Sequence, residues 1–329
     1  MIALPADAIV WDNHACMPLR PGDTTFLPGL ERLRAAGFHV VSLNIGYDAQ
    51  GPLEHLRMLA TFRAWIAAHA ADYIVVGTLA EIDAARSAGK LAVVFDLEGA
   101  DALADAPELA RLYADLGVRW AAPVYNRANV LGAGCLDEID EGLTAPGRAT
   151  IAALHKAGIA VCCSHAGAKT ALDIIAAAPG PVLFSHSNCA ALHAHPRNIS
   201  DAAIRACTQR GGVIGINGIG DFLAAPGADL IEAMACHIDH VVQIAGPAHV
   251  GLALDYAYDP DELAALIAAS ADSFPAGLSA DVPMLGPEVL LPLVGKLTAR
   301  GFDEAALALV LGGSWRRMAA EVWPGGAGS

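Results

Sequence analysis

Positive charge is scarce in this chain and gathers nowhere. Lys and Arg number 20 against 35 Asp and Glu in 329 residues, for a formal net charge of −15. Without a basic stripe there is no electrostatic footprint for a phosphate backbone, so nucleic acid is excluded as a partner class. No uninterrupted apolar stretch reaches the roughly 18–20 residues of a membrane-spanning helix. The opening residues 1–12 lack both the basic start and the long apolar core of a secretory signal. Cysteine pairs at CxxC spacing are also missing. The seven cysteines, an odd number with Cys162 and Cys163 adjacent, read as reduced core thiols rather than a disulfide framework. These absences predict a soluble, cytoplasmic protein with no membrane partner.

What the chain does have is apolar bulk. Apolar residues make up 55% and charged residues 17%, a balance that suits strands buried on both faces. Eight β-rich apolar runs, at 8–14, 39–45, 91–98, 118–125, 159–165, 182–186, 212–217 and 250–255, alternate with helical segments. That count predicts an α/β fold, a TIM-like (β/α)8 barrel forming one domain over residues 1–329; a doubly wound sheet is the alternative. Thr144 with Pro146, and Ser200, read as helix starts, while Gly158 and Gly211-Gly212 read as stops. Additional C-terminal helices at 260–271 and 287–300 are expected to cover the barrel wall or to form a subunit contact, which leaves a homodimer open.

In such a barrel the last inward residue of each strand faces one common mouth. Those residues are His14, Glu98, Tyr125, His165, His186, Asn217 and Asp255. Three imidazoles and two carboxylates at one rim are the ligand types of a hydrolytic metal site. His14 and Cys16 lie two apart, so an extended strand points both the same way, and thiolate with imidazole suits zinc. An ordinary buried thiol at Cys16 is an equal reading. Glu98 could bridge two ions held about 3.5–4 Å apart. Arg197, in the loop after the second Ser-His strand, either forks onto a substrate carboxylate or caps a helix beside Asp201. The other nine histidines fall on helices, loops or strand starts and read as structural. The glycines at 215, 218 and 220 resemble a dinucleotide loop but lack its spacing and its acidic partner.

At these motifs the sequence resembles the membrane (renal) dipeptidase family, the zinc dipeptidases of peptidase family M19. The resemblance runs through Glu98-Gly99, Gly117-Val118-Arg119, Gly142-Leu143-Thr144, Ser164-His165, Phe184-Ser185-His186-Ser187, Pro196-Arg197-Asn198, His249-Val250-Gly251 with Asp255, and Gly312-Gly313. It implies a barrel with a binuclear zinc centre in which His14 holds one ion, Glu98 bridges, and His165 and His186 hold the other. It implies further that Arg197 grips a dipeptide's carboxylate and that Asp255 lies near its free amine. The chain departs from the family at Cys16 and Cys162, where aspartates are usual, and at Tyr125, where a histidine is usual.

The expected function is therefore a metallohydrolase cleaving the amide bond of a dipeptide or dipeptide-like small molecule by a metal-activated water. Zinc is the expected cofactor, as two ions or one. Glu98, Asp255 and Tyr125 are the expected catalytic residues; Arg197, Tyr125, Asp255 and Asn217 are expected to bind substrate; His14, Cys16, Glu98, His165 and His186 are the expected metal ligands. The alternatives are a divergent hydrolase acting on a different amide, ester or lactone, and a catalytically silent metal-binding relative.

Overall fold

The computed structural model describes residues 3–279 and 281–323. Ten strands form one parallel sheet: β1 (Trp11–Cys16), β2 (Val40–Tyr47), β3 (Tyr73–Val75), β4 (Leu91–Glu98), β5 (Val118–Ala122), β6 (Ala160–Val161), β7 (Leu183–Phe184), β8 (Val213–Ile216), β9 (Val250–Leu252) and β10 (Tyr256–Ala257). Eight of them run in the order β6-β5-β4-β2-β1-β9-β8-β7. The ring closes where Cys162 bridges Leu183 and the Cys163 N–H donates to the Leu183 carbonyl at 2.7 Å. The result is a TIM-like barrel whose eight members are the eight runs seen in the sequence. β3 and β10 lie outside the ring, β3 beside the start of β4 and β10 beside the end of β1.

Both faces of the ring are covered, so every residue of β2 and β4 is buried and no polar alternation survives. Outward side chains meet the helices; Phe95 stacks on Phe62 of the helix Pro52–Ala68 at 6.1 Å. Inward ones, among them Val40, Ala92, Val94, Trp120 and Val213, fill the barrel and meet Trp315 and Trp323 at its N-terminal end. Burying an aliphatic side chain of this kind stabilises by roughly 1.5–3 kcal/mol. The filled floor is thus the rigid base on which the opposite end can carry polar groups.

Parity along β1 breaks at the functional end. Trp11 packs in the barrel interior, and so, three residues later, does His14 at the rim, while Ala15 packs outward. A β-bulge makes this feasible: Asp12 pairs with Val41, but Ala15 pairs with Leu43, leaving one extra residue in β1. The bulge turns both His14 and Cys16 toward the mouth.

The two C-terminal helices part company. Leu290–Ala299 packs on Leu230–Ala245, covering the wall as expected. Pro260–Ala269 does not cover the wall; it buries none of its own residues fully and arches over the mouth, where Leu263 and Leu266 line the cavity. Asp259 caps it by accepting from the Asp261 and Glu262 N–H groups, and Arg20 Nη1 holds Asp259 Oδ2 at 2.8 Å. Among the described residues no helix is long and apolar enough to cross a membrane.

Candidate metal centre

The strand ends converge on a cavity of about 130 Å³. At its base Glu98 Oε1 lies 2.8 Å from His165 Nε2, 3.0 Å from His186 Nε2 and 3.5 Å from His14 Nε2. The His165 and His186 Nε2 atoms are 2.8 Å apart, and the His14 and His186 rings stack at 4.3 Å. On the other side of His14, Cys16 Sγ stands 3.4 Å from Nε2 and 3.5 Å from Asp255 Oδ1.

Each imidazole is held from behind. His165 Nδ1 donates to Asn126 Oδ1 at 2.8 Å, and His186 Nδ1 pairs with Ser185 Oγ at 2.8 Å. His14 Nδ1 lies 3.2 Å from Asp96 Oδ1, at ion-pair range but off the line of a hydrogen bond. Asp96 is fixed in turn by Ser42 Oγ at 2.6 Å and Asn44 Nδ2 at 3.2 Å. At His165 the accepting oxygen on Nδ1 sets the tautomer so that the Nε2 lone pair faces inward, the arrangement of a metal-ligating histidine. The donor set fits a divalent metal on its chemistry: three imidazole nitrogens, one carboxylate common to all three, and every distal nitrogen beside an oxygen.

The three imidazoles differ in their electrostatics. Burial and the Arg197 guanidinium hold His165 well below the usual imidazole range, and burial with His14 and Arg197 does the same for His186, so both are neutral. Burial pushes Glu98 up, but His14, His165 and Arg197 outweigh it and bring the carboxyl down to about 2. Burial favours neutral His14, yet Glu98, Cys16 and Asp96 together raise it well above the ordinary range. Burial pushes the Cys16 thiol up to about 12 against the pull of His14, so the sulfur keeps its proton unless a cation takes its electron pair.

Arg197 is buried, and its Nη2 donates to His165 Nε2 at 3.1 Å. Among the described residues no carboxylate lies at ion-pair distance from it, so a buried guanidinium faces the cavity ready for an anion. Tyr125 stacks on His165 at 4.3 Å and lines the cavity; burial and the Glu98 charge raise its phenol well above the usual range, keeping the proton on.

Asn217 stands apart. It does not line the cavity: its carboxamide oxygen accepts from Asn188 Nδ2 at 2.9 Å and from the Ile219 N–H at 3.2 Å, bracing the loop after β8. The carboxamide oxygen at that strand end is used between neighbouring loops. The bracing trio Asp96, Asn126 and Ser185 escaped the sequence reading. Asp96 had a signal, since it sits two before Glu98 on one strand and shares its face; Ser185 had one in the repeated Ser-His pair, and Asn126 had none.

Residues 35–323 match the membrane dipeptidase family, peptidase family M19. A curated relative, an uncharacterized dipeptidase of Schizosaccharomyces pombe, is 33% identical over 181 residues, 53% of this chain and 44% of that protein, so the match spans less than half of the relative's length. Among solved structures, an amidohydrolase from Pseudomonas aeruginosa superposes with TM-score 0.88 at 24% identity, covering 98% of this chain and 99% of that one. A metallo peptidase from Rhodobacter sphaeroides, liganded with a phosphinate mimic of the dipeptide L-Ala-D-Ala, superposes with TM-score 0.77 at 23% identity over 96% of this chain and 100% of that one.

Proposed function

Because this chain belongs to the membrane dipeptidase family, peptidase family M19, and is a metallohydrolase, we propose that it is a zinc-dependent dipeptidase whose metal is held by His14, Cys16, Glu98, His165 and His186. The observation that carries the proposal is the convergence of three Nε2 atoms on Glu98 Oε1, each ring oriented from behind by an oxygen. Bound there, the metal supplies an acidified water and a Lewis acid for the scissile carbonyl.

The chain's own residues supply the rest. Arg197 forks onto the substrate's carboxylate, for which its buried and otherwise unpaired charge is suited. Tyr125, kept protonated, donates its O–H to the oxygen on which charge develops. Burial, reinforced by Glu98, raises Asp255 to about 6 despite the pull of His14, so near neutrality it can pass a proton to the leaving amine nitrogen. The cytoplasm suits a chain whose seven cysteines are all free.

A second reading has its own support. Much of the cavity wall is apolar, and the segment over the mouth contributes Leu263, Leu266, Phe274, Leu278, Val282 and Met284. Such a wall favours substrates with a bulky apolar group, including a different amide, ester or lactone. The experiment is a metal analysis of freshly purified protein followed by a panel of free dipeptides, C-terminally amidated dipeptides, simple esters and lactones. Preferential cleavage of free dipeptides supports the proposal; turnover confined to esters or lactones selects the second reading, and a metal-loaded but inactive chain removes both.

A further inference from the structure

His14, Cys16 and Asp255 present three donor atoms in a triangle: Sγ to Nε2 is 3.4 Å, Sγ to Oδ1 is 3.5 Å and Nε2 to Oδ1 is 3.5 Å. Hydrogen bonding accounts for two edges, the thiol donating to Asp255 Oδ1 and accepting from His14 Nε2, but not for the third: 3.5 Å between a ring nitrogen and a carboxylate oxygen is beyond hydrogen-bond range, yet the three donors close on one another. A tetrahedral zinc with bonds of about 2.0–2.1 Å to nitrogen and oxygen and about 2.3 Å to sulfur spaces neighbouring donors about 3.3–3.6 Å apart. The triangle has those edges.

We infer that His14, Cys16 and Asp255 form a distinct thiolate-containing metal position, and that the two halves of the centre differ in metal preference. The inference rests on the proposed metal centre but not on the proposed substrate. It gives Asp255 Oδ1 to the metal, leaving Oδ2 for the substrate amine or the proton of the leaving group.

The fold builds this triangle deliberately. After β9 pairs with β1 at Asp12, the chain turns through Asp255, which holds left-handed backbone at φ 57°, and resumes pairing with β1 as β10, Cys16 opposite Ala257. The Asp255 N–H donates to the His14 carbonyl at 3.0 Å and the Tyr258 N–H to the Cys16 carbonyl at 3.0 Å, so the turn is clamped on both sides of its acidic side chain. Asp12 Oδ1 adds a third tie, accepting from the Leu254 N–H at 2.7 Å. A left-handed aspartate is uncommon and persists where the surrounding structure overrides its preference. Here the override places a second carboxylate against the sulfur.

The consequence is selectivity. A thiolate is a soft donor that favours zinc over manganese and magnesium, which the imidazole–carboxylate half lacks. On binding, the Cys16 S–H bond breaks, the sulfur keeps the electron pair as the ligand to the metal, and the proton leaves to solvent.

The test is X-ray absorption of the zinc-loaded protein together with ultraviolet spectra of the cobalt(II)-loaded protein. A zinc–sulfur shell at about 2.3 Å and a sulfur-to-cobalt charge-transfer band are expected. Cys16→Ser should lose the band and bind about one metal per chain instead of two. Cys16→Asp should keep two metals without the band, with its zinc-over-manganese binding preference reduced at least tenfold. A sulfur-free coordination sphere in the parent protein overturns the inference, whatever the metal count, and needs no variant to fold. A sulfur shell in a protein that cleaves no dipeptide upholds it while removing the dipeptidase reading.

Discussion

Asn126 Oδ1 accepts a hydrogen bond from His165 Nδ1 at 2.8 Å, and both residues hold left-handed backbone, at φ 57° and 69°. With Asp255 they are the three non-glycine residues of this conformation among the described residues, and all three line the cavity. Backbone strain of about 1–3 kcal/mol per residue is thereby concentrated at one place. Asn126 also donates from Nδ2 to the Ser273 carbonyl at 2.9 Å, so one side chain joins a candidate metal ligand to the segment over the mouth.

Asn126→Gly keeps the backbone conformation and removes the acceptor behind His165. Metal affinity should fall about 10–100-fold, the usual cost of losing such a partner. Competition against a chelator of known affinity measures it. Parent-like affinity would show that His165 needs no orienting.

His165→Ala and His186→Ala should each lower the metal bound per chain, because each removes an Nε2 within 3.0 Å of Glu98 Oε1. Elemental analysis of the purified variants reads this directly. Unchanged stoichiometry in both would remove the support for a centre at these strand ends.

Arg197→Lys keeps the charge but loses the planar fork. If the guanidinium grips a carboxylate, kcat/KM for a free dipeptide should drop by about 1.5–3 kcal/mol of transition-state binding. An amidated dipeptide should be correspondingly poor in the parent and little worse in the variant. Equal turnover of free and amidated dipeptides by the parent would sink the clamp.

His237 should make its own contribution to stability sensitive to acid. His237 donates from Nε2 to the Leu223 carbonyl and accepts the Cys189 N–H at Nδ1, each at 2.9 Å, so both ring positions are used by a neutral tautomer. Burial brings it down from 6.5 to about 4, outweighing the Leu223 carbonyl. Below 6.5 the unfolded chain takes the proton first; the stabilisation is complete above that pH and is lost as pH falls toward 4. The loss reaches about 3 kcal/mol at roughly 1.36 kcal/mol per pH unit. His55, beside the Tyr113 hydroxyl at 2.9 Å and likewise brought down to about 4 by burial, adds a similar amount. The stability difference between the parent and His237→Gln, read from urea midpoints, should move against the parent as pH falls from 7 to 4.5; a difference independent of pH would acquit His237.

The eight barrel strands were legible because each is an apolar run, most of them ending in a polar or ligand-type residue, and a barrel brings every such end to one rim. His14, Glu98, His165, His186 and Asp255 could therefore be grouped from spacing alone. The bulge in β1 could not: one extra residue changes which parity faces inward, and nothing in Asp12-Asn13-His14-Ala15 announces it. β3 and β10 are too short, at 3 and 2 residues, to carry a pattern. The placement of helix Pro260–Ala269 over the mouth was equally hidden, since an apolar stripe says that a helix packs and not on which side. Asn217 misled for the opposite reason, a polar strand end whose carboxamide oxygen ties the loops after β7 and β8 through Asn188 Nδ2 and the Ile219 N–H.

The tryptophan-sealed floor makes the barrel a cul-de-sac. Trp11, Trp315 and Trp323 close the end opposite the mouth, so whatever enters must leave by the same door. Hydrolysis turns one molecule into two that share a single exit beneath Leu263 and Leu266. Departure must then be sequential: the fragment nearer the opening goes first, and the one gripped deeper waits behind it. The later product should therefore act as a competitive inhibitor and the earlier one should not, an asymmetry imposed by the architecture rather than by the chemistry.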